Sequence, residues 1–216
     1  MSTAKSTNPA ITGFGTYTAS FLAGLVTMSL EMVVGRSFTP YFGGTLFTWG
    51  ALISVFLLGM AVGYAFGGRL ADAFPGRRSL IVIFLSASVP IGIFPLIGEP
   101  LINAVLEAVP DVRYAALLAA FALSFLPVAI LAATSPFCVR LTLRSTRSAG
   151  TLSGRLSAVN TVGCIVGTLG TSFYLIPGLG VRAIFYLLAS VCGLAALAAM
   201  ASGTRAGRPL TAEEPT

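Results

Sequence analysis

The chain has 216 residues, of which 56% are hydrophobic and only 9% are charged. An average soluble domain carries about 25% charged residues. With a mean hydropathy of +0.91, the composition excludes an ordinary soluble domain, a disordered protein and a disulfide-rich scaffold. The apolar runs are too long for the strands of a membrane barrel, so the sequence predicts an all-α integral membrane protein.

Six apolar runs are each long enough to cross a hydrocarbon core of about 30 Å. They lie at 15–37, 47–68, 79–98, 114–139, 156–177 and 183–203. The sequence therefore predicts a cytoplasmic N-terminal segment over 1–13, a six-helix transmembrane domain over 14–203 and a disordered cytoplasmic tail over 204–216. The first run is too long for a signal peptide and is interpreted as an uncleaved span.

The basic residues follow the positive-inside rule when both termini are placed in the cytoplasm. Ten of them then lie inside, namely Lys5, Arg69, Arg77, Arg78, Arg140, Arg144, Arg147, Arg155, Arg205 and Arg208. Three lie outside, namely Arg36, Arg113 and Arg182. The net charge of +6 is thereby explained by topology, and we expect a lipid bilayer and no nucleic acid as the partner of these charges.

Small residues at four-residue spacing predict close helix packing. In the second run they are Gly59, Gly63 and Gly67. The fifth run has two such ridges, one formed by Ser153, Ser157 and Thr161 and the other by Gly163 and Gly167. Proline predicts kinked or interrupted helices in the third and fourth runs, at Pro90, Pro95, Pro127 and Pro136. Between those runs, residues 99–113 have the apolar spacing of a short interfacial helix.

Glu31 lies inside the first run, where an ionisable group costs about 2.5 to 3.5 kcal/mol. Arg36 lies five residues on and points about 140° away around the helix, so a partner from another helix or protonation is expected. One hypothesis makes Glu31, with Arg36 and Asn160, a substrate or proton-coupling site. The alternative is that Glu31 forms an interhelical hydrogen bond or ion pair that fixes packing, and that Asn160 forms an interhelical hydrogen bond.

The turn between the second and third runs carries Gly68-Arg69-Leu70-Ala71-Asp72 and then Pro75-Gly76-Arg77-Arg78. It resembles the loop motif of the major facilitator superfamily. Because Asp72 can pair with arginines across the turn or on a neighbouring helix end, we expect a cytoplasmic charge latch. Its residues are Asp72, Arg69, Arg77, Arg78 and Arg140.

The three cysteines lie in separate apolar stretches, and the chain has no His and no CxxC pair. Cys138, Cys164 and Cys192 are therefore interpreted as buried apolar residues, and we expect no metal site and no cofactor.

Several ordered segments together resemble one family. They are LEMVVGR at 30–36, Phe42-Gly43, VFLLGMAVGYAFGGRLAD, FLPVAILAATSPFCVRL and GRLSAVNTVGCIVGTLGTSFYLIPGLG. They are similar to the membrane domain of the bacterial fused transporter/spermidine synthase proteins, over residues 29–180. Leu30 and Val34 stand where that family tends to have aromatic residues. The resemblance implies a six-helix fold akin to one half of a major facilitator transporter, in a bacterial inner membrane. The family's cytosolic aminopropyltransferase-like domain has no counterpart here, so its enzymatic activity is not expected.

Three functions are weighed. The first is a transporter-like module that moves a small solute as a homodimer or with a second six-helix partner, since one half cannot enclose a pathway. The second is a non-transporting membrane subunit or anchor for a separately encoded enzyme or electron-transfer protein. The third, a membrane enzyme, has the least support, because no metal-ligand cluster and no nucleophile with a base is present.

Overall fold

A computed structural model of the chain describes residues 9–201 apart from residue 75 and residues 144–148. The helices are α1 (Pro9–Phe42), α2 (Leu46–Ala73), α3 (Arg77–Ala108), α4 (Val112–Ala132), α5 (Thr134–Thr142), α6 (Ala149–Gly170), α7 (Ile176–Gly178) and α8 (Val181–Ala201). A π-helical turn, Thr171–Leu175, joins α6 to α7. The predicted tail over 204–216, Lys5 and most of the segment 1–13 lie outside the described residues, as do Arg144 and Arg147.

Within the described residues, five helical segments are long and apolar enough to cross a membrane, and they coincide with the first five predicted runs. Their ranges are Phe14–Phe42, Leu46–Ala73, Arg78–Ala108, Val112–Thr142 and Ala149–Gly178. The sixth run corresponds to α8, in which a shorter apolar helix covers Val181–Leu197. The described part of the chain is thus all-helical, and its five long apolar helices suit a multi-pass membrane protein, while the sixth crossing stays a prediction.

Helix α1 occupies the centre of the bundle. It packs mainly against α6 and also against α8, α5 and α4, while α2 pairs with α4 and α3 with α8. Within the most apolar stretch of α1, 61% of the residues are buried, against 17% in the corresponding stretch of the α6 segment. Most of the α6 surface is therefore free of contact with the rest of the described chain.

The ends of α1 and α2 are set by the turn between them. Gly43 has φ of 71°, a left-handed conformation that a glycine adopts without steric cost, and its N–H donates to Thr39 O at 3.0 Å. Thr45 then caps α2, since the Thr48 N–H donates to Thr45 Oγ1 at 3.3 Å. These two residues close one helix and open the next within a few positions.

Glycines make two very close helix contacts, as their spacing predicts. A Cβ on Gly67 would lie 2.7 Å from Ala133 Cα, and one on Gly63 would clash with Ala129 O. On α6, a Cβ on Gly163 or Gly167 would clash with the carbonyl of Phe21 or Leu25 on α1. The predicted glycine ridges are confirmed as contacts where backbone meets backbone.

The second predicted ridge of α6, formed by Ser153, Ser157 and Thr161, does not pack on α1 as the glycine ridge does. Ser157 and Thr161 are exposed and Ser153 is partly exposed, so this ridge faces away from the described bundle. A Cβ added to Gly150 or Gly154 on the same helix would meet open space, with no described atom of another helix within 4 Å. One ridge of α6 is therefore used in packing and the other is left open.

Two expectations about interruptions are corrected. Residues 99–108 do not form a separate interfacial helix, because α3 continues without a break through Pro90, Pro95 and Pro100 to Ala108. Its last turns bury Ile102 and pack Val105 on the core, which holds this stretch in the helix despite the missing proline N–H groups. Such packing also removes the predicted interruption from the third span.

The fourth span is interrupted, as its prolines predict. Helix α4 ends at Ala132 and α5 begins at Thr134, with Ala133 in a turn between them. Pro136 occupies the first turn of α5, where its missing N–H leaves Ala132 O without its normal helical donor. The break therefore lies at the position at which proline removes a backbone hydrogen bond.

Candidate functional site

Glu31 lies on one narrow stripe of α1 together with two glycines. At about 100° per residue, Gly24 lies about 20° and Gly35 about 40° from Glu31 around the helix axis. All three residues are buried. Whatever packs on the two glycines therefore borders the carboxyl group that lies between them.

Different helices cover the two glycines. A Cβ on Gly24 would clash with Asn160 O on α6, and one on Gly35 would lie 2.9 Å from Trp49 Cη2 on α2. Few contacts join α2 to α6 directly, whereas each of them contacts α1. Glu31 thus lies between a part of α1 that α6 covers, at Gly24, and a part that α2 covers, at Gly35.

The Glu31 side chain is buried without a polar partner. The residue is 8% exposed, and none of the described residues donates a hydrogen bond to it or forms an ion pair with it. No hydrogen bond or ion pair from the described residues therefore offsets the desolvation of this carboxyl group.

Arg36 is not brought to Glu31. It is exposed, and none of the described acidic residues pairs with it. The helical angle of about 140° between the two positions accounts for this separation. Of the three residues assigned to a coupling site from sequence, Glu31 and Asn160 share the α1–α6 region, whereas Arg36 does not.

Asn160 makes hydrogen bonds that join α6 to α1. Its Nδ2 donates to Ser20 O at 2.9 Å, and its Oδ1 accepts from Cys164 Sγ at 3.8 Å. Ser20 Oγ donates to Leu156 O at 3.1 Å and Ser29 Oγ donates to Gly167 O at 3.2 Å. The amide thus belongs to a row of interhelical bonds, which is the arrangement that the packing interpretation of Asn160 requires.

The second group of predicted site residues lies at the end of the bundle that holds the C-terminal ends of α2 and α5, here called the basic end. Arg140 Nε on α5 lies 3.2 Å from Asp72 Oδ1 on α2, with the two side chains 35% and 75% exposed. The buried Nε–H is not aligned for a hydrogen bond, so the contact is an ion pair. It links helix ends that are far apart in the chain.

Arg69 and Arg78, two further arginines of the predicted latch, do not pair with Asp72. Arg69 lies over the Phe66 ring, with Cζ 5.7 Å from the centroid. Arg78 is exposed and has no ion-pair partner within the described chain, and the side chain of Arg77 lies outside it. Among the described side chains, Arg140 is therefore the arginine that contacts Asp72.

Two residues that border the Glu31 stripe were missed from the sequence, namely Trp49, which packs on Gly35, and Cys164, which bonds Asn160. Trp49 looks like an ordinary residue of an apolar run, because its position depends on how α2 packs on α1. The available signal was Gly24 and Gly35, which flank Glu31 on its own face and mark where neighbouring helices approach.

Comparison of the chain with family models, with curated proteins and with solved structures finds no match. The resemblance to the fused transporter/spermidine synthase family therefore stays an expectation drawn from the sequence segments between residues 29 and 180. What the protein does has to be inferred from the site itself.

Proposed function

We propose that the chain is a transporter-like membrane module that moves a small solute, working as a homodimer or with a second membrane protein. The observation that carries this proposal is Glu31, a carboxyl that is 8% exposed and has no partner among the described residues. A carboxyl kept only for packing is expected to gain a hydrogen bond or an ion pair that offsets its desolvation. One that receives a solute or a proton is expected to lack that partner in the free protein.

The open face of α6 supports the need for a second subunit. Gly150, Gly154, Ser157 and Thr161 are exposed along it, and small or hydroxyl residues at this period favour helix association in a bilayer. A second copy packed on this face would cover the part of α6 that the described bundle leaves exposed.

The test of the second subunit is crosslinking in a bilayer. Thr161→Cys, made in a Cys164→Ser background, should give a disulfide-linked dimer in proteoliposomes. The matched control is Leu85→Cys on α3, which is 44% exposed and lies on another helix. Monomer only from both variants, with no second membrane protein co-purifying, would count against the module.

The test of transport is solute or proton flux into the same proteoliposomes. Glu31→Gln should abolish flux while the protein stays folded in the membrane, because the amide cannot carry the charge. Glu107→Gln is the control, since it makes the same change at an exposed position in the last turns of α3. Equal flux from wild type and Glu31→Gln would remove Glu31 from the mechanism.

A second candidate is a non-transporting subunit or anchor for a separately encoded enzyme or electron-transfer protein. Three exposed arginines at the basic end favour it: Arg69, Arg78 and Arg155 form no ion pair with any described residue. They are free to meet an acidic surface of a cytosolic partner. Stoichiometric co-purification of a soluble protein, lost when these arginines are changed to Gln, with no flux, would establish this alternative.

A further inference from the structure

An apolar groove of about 340 Å³ runs between α2 and α4 on the outside of the bundle. Its exposed lining comes from Ser54 and Leu58 on α2 and from Tyr114, Leu118 and Phe121 on α4. These side chains form a surface that is almost entirely hydrocarbon and aromatic. We name this feature the α2–α4 groove.

The glycine ridge of α2 explains why the groove occurs in one half of the helix pair. A Cβ on Gly59 would lie 3.0 Å from Val128 Cγ1, and one on Gly63 would clash with Ala129 O, so α2 and α4 touch closely there. Four residues before Gly59, the same ridge carries Val55, whose side chain lines the groove. Because a larger side chain replaces the glycines, the two helices stand further apart towards the start of α2.

The groove leads to an arginine at the end of the bundle opposite the basic end. Phe47 lies seven residues before Ser54 and therefore on the same face of α2. Arg113 Cζ lies 4.4 Å from the centroid of the Phe47 ring. The guanidinium is exposed and forms no ion pair with any described residue. An arginine that stacks on a ring keeps its N–H groups free at the edge, so this one can donate to a phosphate at the mouth of the groove.

A carboxylate lies next to this arginine. Asp111 caps α4, and its Oδ1 accepts from the Arg113 N–H at 2.9 Å. Asp111 precedes Tyr114 by three residues and Leu118 by seven, so it begins the face of α4 that lines the groove. It is exposed and has no ion-pair partner within the described chain. The mouth of the groove therefore presents a positive group and, one step closer to water, a negative one.

The length of the groove and its mouth matches one leaflet of a bilayer. Phe47 and Leu58 are eleven residues apart, which is about 16 Å along α2. Half of a hydrocarbon core of about 30 Å is about 15 Å. An acyl chain that starts at the level of Arg113 would thus end near Leu58 and Phe121, where the glycine ridge closes the gap between the helices.

We propose that the α2–α4 groove binds one acyl chain of a phospholipid with a primary ammonium headgroup, the class of phosphatidylethanolamine. Arg113 donates to the phosphate and Asp111 accepts from the ammonium, so both charges of the headgroup have a partner. An anionic phospholipid would bring a second uncompensated negative charge to Asp111, and a quaternary ammonium has no N–H to donate. This inference goes beyond the proposed function, since it holds whether or not the chain moves a solute.

The test is native mass spectrometry of the purified full chain, released from detergent after incubation with three lipids in equal amounts. These are phosphatidylethanolamine, phosphatidylglycerol and phosphatidylcholine with the same acyl chains. We expect the wild type to retain one phosphatidylethanolamine in preference to the other two. In Arg113→Gln the retained amount should fall by about fivefold.

Arg182→Gln is the matched control for Arg113→Gln. Arg182 is the second residue of α8, as Arg113 is of α4, and its side chain is 75% exposed. It does not line the groove, so this variant should retain lipid as the wild type does. Equal losses of lipid from Arg113→Gln and Arg182→Gln would overturn the proposal.

Two further variants separate the headgroup from the acyl chain. Asp111→Asn keeps a residue that caps helices well, and it should lose the preference for phosphatidylethanolamine over phosphatidylglycerol. This ratio is read on the protein that binds lipid, so it does not depend on how much protein folds. Leu118→Trp fills the groove without altering a charge and should lower the retention of all three lipids.

Other outcomes contradict the lipid site. Equal retention of phosphatidylethanolamine and phosphatidylcholine by the wild type, or no retained lipid, would overturn it. A dimer in the lipid-free wild type that Leu118→Trp dissociates would instead identify the groove as a contact between two copies of the chain, and would also overturn it.

Discussion

Arg140 Nε lies 3.2 Å from Asp72 Oδ1, and this ion pair joins the last turn of α2 to the last turn of α5. The Asp72 side chain is 75% exposed, so water screens the pair. Exposed ion pairs contribute about 0 to 1 kcal/mol. The contribution of this ion pair to the free energy of unfolding is therefore small. Its main effect is to connect the C-terminal end of α2 with that of α5.

Asp72→Asn should accordingly change the free energy of unfolding by less than about 1 kcal/mol. If the pair is a latch, the same variant should slow turnover in the flux assay more than it weakens solute binding. The double variant Asp72→Arg with Arg140→Asp restores opposite charges and should recover part of the rate. Turnover identical to that of wild type in Asp72→Asn would contradict the latch.

The glycine contacts between α1 and α6 predict opposite effects of the same substitution on one helix. Gly163→Ala places a methyl group against Phe21 O and should destabilise the fold by about 1 to 3 kcal/mol. Gly154→Ala meets open space and should leave stability unchanged or raise it by up to about 1 kcal/mol, because alanine favours the helix. Thermal unfolding of both variants in one detergent is the measurement, and equal midpoints would contradict this packing.

The stacked rings of α3 and α8 should carry much of the contact between these helices. Phe94 and Phe185 have ring centroids 4.1 Å apart, and Phe94 is 5% exposed. Phe94→Ala should cost about 3 to 5 kcal/mol, as for other buried phenylalanines. Phe173→Ala, at a position 69% exposed, should cost less than about 0.5 kcal/mol. Denaturant titration of both variants checks the difference.

Glu31→Gln should accumulate in membranes at the level of wild type. The amide removes the cost of a charge with no partner, so the unfolding free energy should stay the same or rise. Quantitative immunoblotting of the membrane fraction and thermal unfolding measure the two quantities. Loss of folded protein in Glu31→Gln, with normal amounts of Glu107→Gln, would instead assign Glu31 to packing.

The orientation inferred from the arginines predicts which end of the bundle faces the cell interior. Ala73 is the last residue of α2, and Asn103 lies in the last turns of α3. Both positions are exposed, and they lie at opposite ends of the bundle, so each is replaced singly by cysteine. In a Cys164→Ser background, a membrane-impermeant maleimide should label Asn103→Cys in intact cells. It should label Ala73→Cys only after permeabilisation. The reverse pattern would invert the topology.

Much of the helical framework could be predicted from the sequence. Runs of apolar residues locate five of the spans because a bilayer imposes their length, and the spacing of Gly59, Gly63 and Gly67 locates a close contact because backbones approach only over small residues. Both signals are local. The continuation of α3 through Pro100 was not predictable in this way, since the packing of Ile102 on distant helices holds it.

The candidate site was predictable only in part. Glu31 stands out because a carboxyl group within an apolar run is costly. The ion pair of Arg140 with Asp72 was among the expected alternatives, but the choice of Arg140 over Arg69 depends on how α5 meets α2. Trp49 carries no sequence signal of its own, because its contact with Gly35 depends on how α2 packs on α1.

The π-helical turn after α6 marks a place where the chain can lose one residue without disturbing the helix before it. Such a turn contains one more residue than the regular helix would, so removing one of residues 171–175 restores ordinary α-helical winding. The part of α6 that precedes it would keep its alignment with α1, and the following loop at Leu179 and Gly180 would absorb the shift. Natural homologues that differ by a single deletion in this helix should therefore carry it here.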